Sequence, residues 1–159
     1  MAATLRVLRQ EDLAAVMALA ADAPEAPHWS LAVWRQVLER VETIAPAAFV
    51  DGRLAGFAVA AVTLDVAELE AIAVAVAYRR QGLGAALLAE VIRKAQALGA
   101  IRLELEVRAR NAAAIGLYLR AGLASEGLRR RYYRDPEEDA LLMGRNLGSA
   151  PEKGEKTPG

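Results

Sequence analysis

The chain contains no cysteine and one histidine, His28. The missing cysteines exclude disulfides, thiolate metal ligands and a cysteine nucleophile. With one imidazole and no carboxylates at ligand spacing, no metal centre is expected. Neither sign of charge is in excess. Twenty Lys and Arg balance twenty Asp and Glu for a formal net charge of zero, so no global field favours nucleic acid. No apolar run approaches the roughly 20 residues that span a bilayer, and the opening "MAATLRVLRQ" lacks the apolar core of a signal peptide. A soluble, cytoplasmic protein without a membrane partner is expected. No Gly-Lys-Ser/Thr occurs, which removes the usual Walker phosphate loop. Aromatics make up only 5% of the chain, so Leu, Val, Ile and Ala must build most of the core. At 159 residues, one domain with a real core is the default.

What is present alternates between strand and helix patterns. "TLRVL" reads as a short strand, and "EDLAAVMALAADA" sets Leu13, Val16, Met17 and Ala20 on one helical face. After the Pro-bearing loop "DAPEAPHWS", Ser30 is an N-cap for a helix carrying Leu31, Trp34, Val37, Leu38 and Val41. "TIAPAAFV" and "RLAGFAVAAVTL" flank Asp51-Gly52, a hairpin signal. "AELEAIAVAV" is a strand, apolar on both faces towards its end. A helix over about 84–98 precedes "IRLELEVR", whose strict alternation puts Leu103, Leu105 and Val107 on one face and Arg102, Glu104, Glu106 and Arg108 on the other. Asn111 caps a further helix with Ile115, Tyr118 and Leu119, closed by Gly122. "LASEGLRRRYYR" and "DALLMGRNL" form a last antiparallel pair. The order predicts an α/β (α+β) domain over 1–147, its mixed, mostly antiparallel sheet flanked by helices on both faces. Residues 66–107 form a parallel crossover. The tail 148–159, "GSAPEKGEKTPG", is expected to be disordered.

"YRRQGLGAALL", residues 78–88, places glycines and cations where the long helix begins. Gly82 and Gly84 permit a tight turn, and the free amides and dipole of a helix N-terminus suit a phosphate or diphosphate. Arg79 and Arg80 add positive charge. A Gly-rich loop with two solvated arginines has the same pattern. A dinucleotide fold fits poorly, because Leu87 stands where close helix–strand packing needs a small residue.

"IAVAVAYRRQGLGAALL" resembles the acyl-CoA-binding motif of GNAT N-acetyltransferases, with Arg79, Gly82 and Gly84 filling its Arg-x-x-Gly-x-Gly pattern. "LEVRARNAAAIGLYLRAGL" and "RRRYYRDPEEDALLM" are similar to the bacterial ribosomal-protein-alanine N-acetyltransferase (RimI) branch, and the likeness is nearly collinear over about 4–147. Four positions depart from it: Ala75-Val76 replaces an Asp-Pro, Glu104 stands where a bulky apolar residue is frequent, and Leu123 where Phe is frequent.

The resemblance implies a single GNAT domain, with splayed parallel strands, that moves acetyl from acetyl-CoA to an amine. The implied cofactor contacts are Ile72 and Val74 on the strand, Arg79, Arg80, Gln81, Gly82, Leu83, Gly84 and Ala85 in the turn, and Asn111 and Tyr118 beyond it. A backbone N–H near Val74 would face the developing oxyanion. Glu106 is the expected base, with Glu104 and Glu70 as rivals; Glu106 has an alternative as a solvated carboxylate pairing with Arg102 or Arg108. Tyr118 matches the family's acid, and equally fits a core aromatic. Asn111 can act as cap, pantetheine contact or both. Trp29, Glu70, Tyr132 and Tyr133 are assigned to the substrate. In a strictly extended strand the two tyrosines point to opposite faces, one to peptide and one to packing. His28 is a weaker alternative base. The implied partner is a protein or peptide N-terminus, that of a small-subunit ribosomal protein beginning with Ala, met by a monomer or weak dimer without direct nucleic-acid contact. A small-amine acetyltransferase and a non-catalytic acyl-CoA module are the alternatives.

Overall fold

A computed structural model describes residues 2–24 and 26–148. Its strands are β1 (Thr4–Val7), β2 (Thr43–Ile44), β3 (Pro46–Val50), β4 (Arg53–Thr63), β5 (Val66–Val74), β6 (Arg102–Arg108), β7 (Ala124–Tyr133) and β8 (Glu138–Asn146). Its helices are α1 (Leu13–Ala21), α2 (Leu31–Glu39), α3 (Leu83–Ala97) and α4 (Ala112–Arg120). One sheet runs β1-β3-β4-β5-β6-β8-β7, with β2 also paired to β4. Every neighbouring pair is antiparallel except β5–β6, the two strands joined by the α3 crossover.

The alternation in β4 and β5 divides the apolar side chains between two cores. On one face Trp34 of α2, 0% exposed, meets Phe57 edge-on at 5.4 Å, with Val16 of α1 and Ala71 and Ala73 of β5 around it. On the other, Leu87, Leu88 and Val91 of α3 pack on Ala58, Leu69, Leu103 and Leu105. The alternating face of β6 therefore lands as its sequence requires, with Leu103, Leu105 and Val107 buried and Glu104 exposed. The helices stop where their residues dictate. Gly99 and Gly122 follow α3 and α4 with φ of +90° and +87°, a left-handed conformation that glycine adopts without Cβ strain.

Three boundaries differ from the sequence expectation. "TIAPAAFV" is two strands, because Pro46 has no N–H to give a ladder and so begins β3 rather than continuing β2. α2 ends at Glu39, which leaves Val41 94% exposed instead of on the helix's buried face. α1 starts at Leu13 after a single 3-10 turn, where the Asp12 carboxylate accepts the Arg9 N–H at 2.8 Å and pairs with Arg6. Residues 149–159 of the expected tail lie outside the described residues.

Candidate active site

β5 is laddered to β4 from Val66 to Val74, but to β6 only through Val66–Arg102, Ala67–Leu103 and Glu68–Glu104. The cause is local. Val59 pairs with Ala71 while the next residue, Ala60, pairs with Leu69, so Glu70 is an extra residue in β5. Such a bulge bends a strand and re-aims its side chains. Leu69 faces the α3 core and Ala71, two residues on, faces the α1–α2 core. Beyond it the parallel strands separate, and the ladder groups of β5 on that side have no partner strand.

The opening is a cleft of about 110 Å³, bordered by Glu70, Ile72, Glu106, Asn111, Tyr118 and Tyr133. A second cleft, about 390 Å³, lies beside it among Glu68, Glu104, Glu106, Glu126 and Arg129. Glu106 borders both. A larger hollow, about 670 Å³, lies against α1 and the β3–β4 hairpin. It shares Val74 and Arg79 with the glycine turn but contains neither Glu106 nor Tyr118, so volume alone is a poor guide to the chemistry.

The turn before α3 has the character its sequence suggests. Arg80 and Gly82 take φ of +62° and +80°, and the α-helical ladder opens with the Ala86 N–H donating to the Gly82 carbonyl at 3.0 Å. The amides of Leu83, Gly84 and Ala85 thus lie in the first turn, where a helix offers no carbonyl. Gln81, Gly82 and Ala85 are exposed, whereas the Leu83 side chain is in the core. Gly84 serves a purpose that the sequence does not state. A Cβ there would stand 3.3 Å from Leu117 of α4, so the glycine lets two helices close beside Val74. The Arg79 guanidinium folds back, its Nε donating to the Val74 carbonyl at 3.2 Å. An anionic group with many oxygens fits this surface of donors and cations.

Glu106 is half-buried. Arg102 and Arg108 do not pair with it: Arg102 takes Glu104 at 2.9 Å and Glu126, while Arg108 takes Glu138 at 3.5 Å. Its partner is Arg129 of β7, at 3.6 Å. Tyr132 stands beside it, and the Glu106 carboxylate raises the phenol's pKa. Tyr118 is 5% exposed, and its pKa is raised by burial and then by Tyr133. It is at once a core aromatic and a wall of the narrow cleft. Asn111 caps α4, its Oδ1 accepting from the Ala114 N–H at 3.1 Å, and borders the same cleft. Glu70 has its pKa raised by burial, and its neighbours Glu68 and Glu42 push the same way against Arg40.

Tyr132 and Tyr133 do not point to opposite faces. Their rings meet edge to face at 5.1 Å, because the register of β7 slips between Arg129 and Tyr133. Trp29 and His28 are not brought to either cleft. Trp29 packs on Trp34 at 4.7 Å, and His28 is exposed in the α1–α2 loop. The sequence names Arg108 only as a partner for Glu106, and it does not mark Asp139. Arg108 lies over the Tyr133 ring at 4.4 Å and donates to the carbonyls of Arg134 and Pro136, tying the last hairpin to β6. Its place in the same alternation as Glu106 was the available signal. Among the described residues no His, Asp and Glu cluster could hold a metal ion, and no helix is long and apolar enough to cross a membrane.

Residues 7–123 match the model of the acetyltransferase (GNAT) family, and the chain belongs to that family. It is 48% identical over 95 residues to the [ribosomal protein bS18]-alanine N-acetyltransferase of Escherichia coli, an alignment covering 58% of this chain and 64% of that protein. The crystal structure of the ribosomal-protein-S18-alanine N-acetyltransferase from Escherichia coli superposes with a TM-score of 0.85 at 36% identity, covering 98% of this chain and all of that one. A phosphinothricin acetyltransferase from Sinorhizobium meliloti, solved with AcCoA, shares the fold at a TM-score of 0.82 and 21% identity, over 99% of this chain and 95% of its own.

Proposed function

We propose that this chain transfers the acetyl group of acetyl-CoA to the α-amine of a protein N-terminus, with a ribosomal protein beginning with alanine as the substrate to test first. The observation that carries the reading is the place of Glu106, one carboxylate at the junction of two clefts, with Tyr118 across the narrower one. The names of the E. coli relatives support the choice of substrate.

Acetyl-CoA supplies an activated thioester. The residues supply position and proton traffic. Arg79, Arg80 and the amides of residues 82–85 hold the diphosphate, with Gln81 at the rim. Ile72, Val74 and Asn111 line the route into the cleft, where a β5 backbone N–H freed by the splay meets the negative charge that develops on the carbonyl oxygen. The amine must be neutral to attack. An α-amine with a pKa of roughly 8 is already partly neutral at pH 7, so a modest base suffices. Glu106 accepts the proton, directly or through one water, as the N–C bond forms and the C–S bond breaks. Tyr118 gives its proton to the departing sulfur. Burial holds that phenol protonated throughout the neutral range. The same burial penalises a thiolate beside it, so the two anions are disfavoured alike and the transfer remains feasible. Glu70 borders the cleft and is the rival base; Glu104, exposed and paired with Arg102, is the weaker one. Tyr132 and Tyr133 wall the amine side.

The experiment is mass spectrometry of small-subunit ribosomal proteins after incubation with the enzyme and acetyl-CoA. A single newly acetylated N-terminal alanine supports the proposal. Acetylation of small amines but of no N-terminus moves the substrate to the other class, and tight acetyl-CoA binding without turnover makes the chain a binding module.

A further inference from the structure

The last hairpin contains a device that no part of the proposed chemistry uses directly. In β7–β8, Arg129 pairs with Ala140 and Tyr133 with Glu138. Residues 130–132 therefore oppose Asp139 alone. Arg131, in the middle, has φ of +54°, a conformation that is strained for any residue with a Cβ. No glycine relieves it. Instead the Asp139 Oδ1 accepts the Arg131 backbone N–H at 2.9 Å, replacing the ladder bond that the slip removes. Asp139 is itself fixed to the site, since its carbonyl accepts the Ala109 N–H at 2.9 Å, immediately beyond β6. The Arg131 side chain faces away, 82% exposed and paired with Glu137 at 3.1 Å.

The geometry points to Asp139 as a positioning residue for the amine side of the site: by holding Arg131 left-handed, it turns Tyr132 to the same side as Tyr133 and sets it beside Glu106. Strict alternation would put neighbouring side chains on opposite faces; here their rings touch. Tyr133 lies under Arg108 and borders the narrow cleft, while Tyr132 lies under Arg129, the ion-pair partner of Glu106. The tyrosine pair and the Glu106 carboxylate thus form one unit whose assembly depends on the backbone conformation of Arg131, held by Asp139 from the facing strand. Should Arg131 relax to an extended conformation, Tyr132 would swing away and leave Glu106 with Arg129 only.

This role rests on the proposed acetyl transfer for its kinetic readout, so the test has a second arm that does not. In steady-state assays with an alanine-terminated peptide, Asp139→Ala should lower kcat/KM for peptide by about tenfold, with KM for acetyl-CoA within twofold. Asp139→Asn keeps a side-chain acceptor and should recover most of the loss. Arg131→Val, a surface substitution that resists positive φ, should reproduce the defect in a chain that folds normally. Arg131→Gly added to Asp139→Ala should restore activity, because glycine holds the conformation unaided. In the second arm, NMR follows the Arg131 amide, whose exchange with solvent should be slow in wild type and fast in Asp139→Ala. Equal kinetics for Arg131→Val and wild type, no rescue by glycine, or an Arg131 amide that ignores Asp139 would each overturn the assignment. If wild type acetylates no peptide, the proposed function fails, and the amide arm alone decides on Asp139.

Discussion

The two edges of β5 are built from the same residues and behave differently. Against β4 the strand makes eight register pairs; against β6 it makes three. The β4 side has Trp34 and Phe57 beneath it, an aromatic core closed by α1 and α2. The β6 side has a bulge at Glu70, then a gap edged by Glu106, Asn111 and Tyr118. One edge of the strand stabilises the domain, and the other leaves ladder groups unpaired so that they can meet a ligand. The difference shows that the candidate site is made by withholding pairing as much as by placing side chains.

Breaking the β6 side should be the most visible perturbation. Glu106→Gln and Tyr118→Phe should each cut turnover by about 10²–10⁴-fold. The double variant should lose less than the product, because both act in one step. For Tyr118→Phe, acetyl-CoA affinity should hold; an equal fall in affinity would make Tyr118 a packing residue. Gly84→Arg should abolish coenzyme A binding in a titration calorimeter, since even a Cβ there crowds Leu117. Breaking the β4 side should act on stability instead. Trp34→Ala is expected to cost about 3–5 kcal/mol in denaturant unfolding, while the folded fraction keeps its KM for acetyl-CoA.

The smaller effects come from titration. Burial raises the folded pKa of Tyr118, so the folded state keeps its proton longer than the unfolded chain does. Its contribution is intact below about pH 10 and is lost as pH rises beyond that. Melting curves above pH 10 should be flatter for Tyr118→Phe than for wild type. Burial also raises Glu70, which makes its ionised form a liability at neutral pH that grows as pH rises through the carboxylate range. Glu70→Gln should raise the neutral-pH stability, by less than about 1 kcal/mol because the group is half-exposed. Glu68→Gln, which removes one of the charges pressing on Glu70, should raise it in the same direction by less.

Much of this is legible in the sequence. The alternation in "IRLELEVR" decides which face Glu106 occupies, because a two-residue period has only two outcomes. Gly82 and Gly122 announced their turns, since left-handed backbone is where glycine is least strained. The parallel crossover followed from the strand–helix–strand order. The bulge at Glu70 was not legible: "AELEAIAVAV" becomes apolar on both faces past Glu70, so no change of period marks the slip, which exists only relative to β4. The meeting of Tyr132 with Tyr133 escaped for the same reason, as it depends on the Asp139 carboxylate eight residues from Arg131. Trp29 looked like a loop residue free to touch substrate, yet Trp34 offers it a buried aromatic partner. Contacts across strands, rather than along them, are what a single sequence conceals.

Amide exchange measured by NMR, residue by residue and with and without acetyl-CoA, tests the split strand most directly. Bound acetyl-CoA should slow exchange at residues 83–85 and at the unpaired positions of 71–74, leaving the β4-paired amides as they were. Slow exchange along the whole β6 edge of β5 without ligand, or binding that leaves 71–74 and 83–85 untouched, would contradict it.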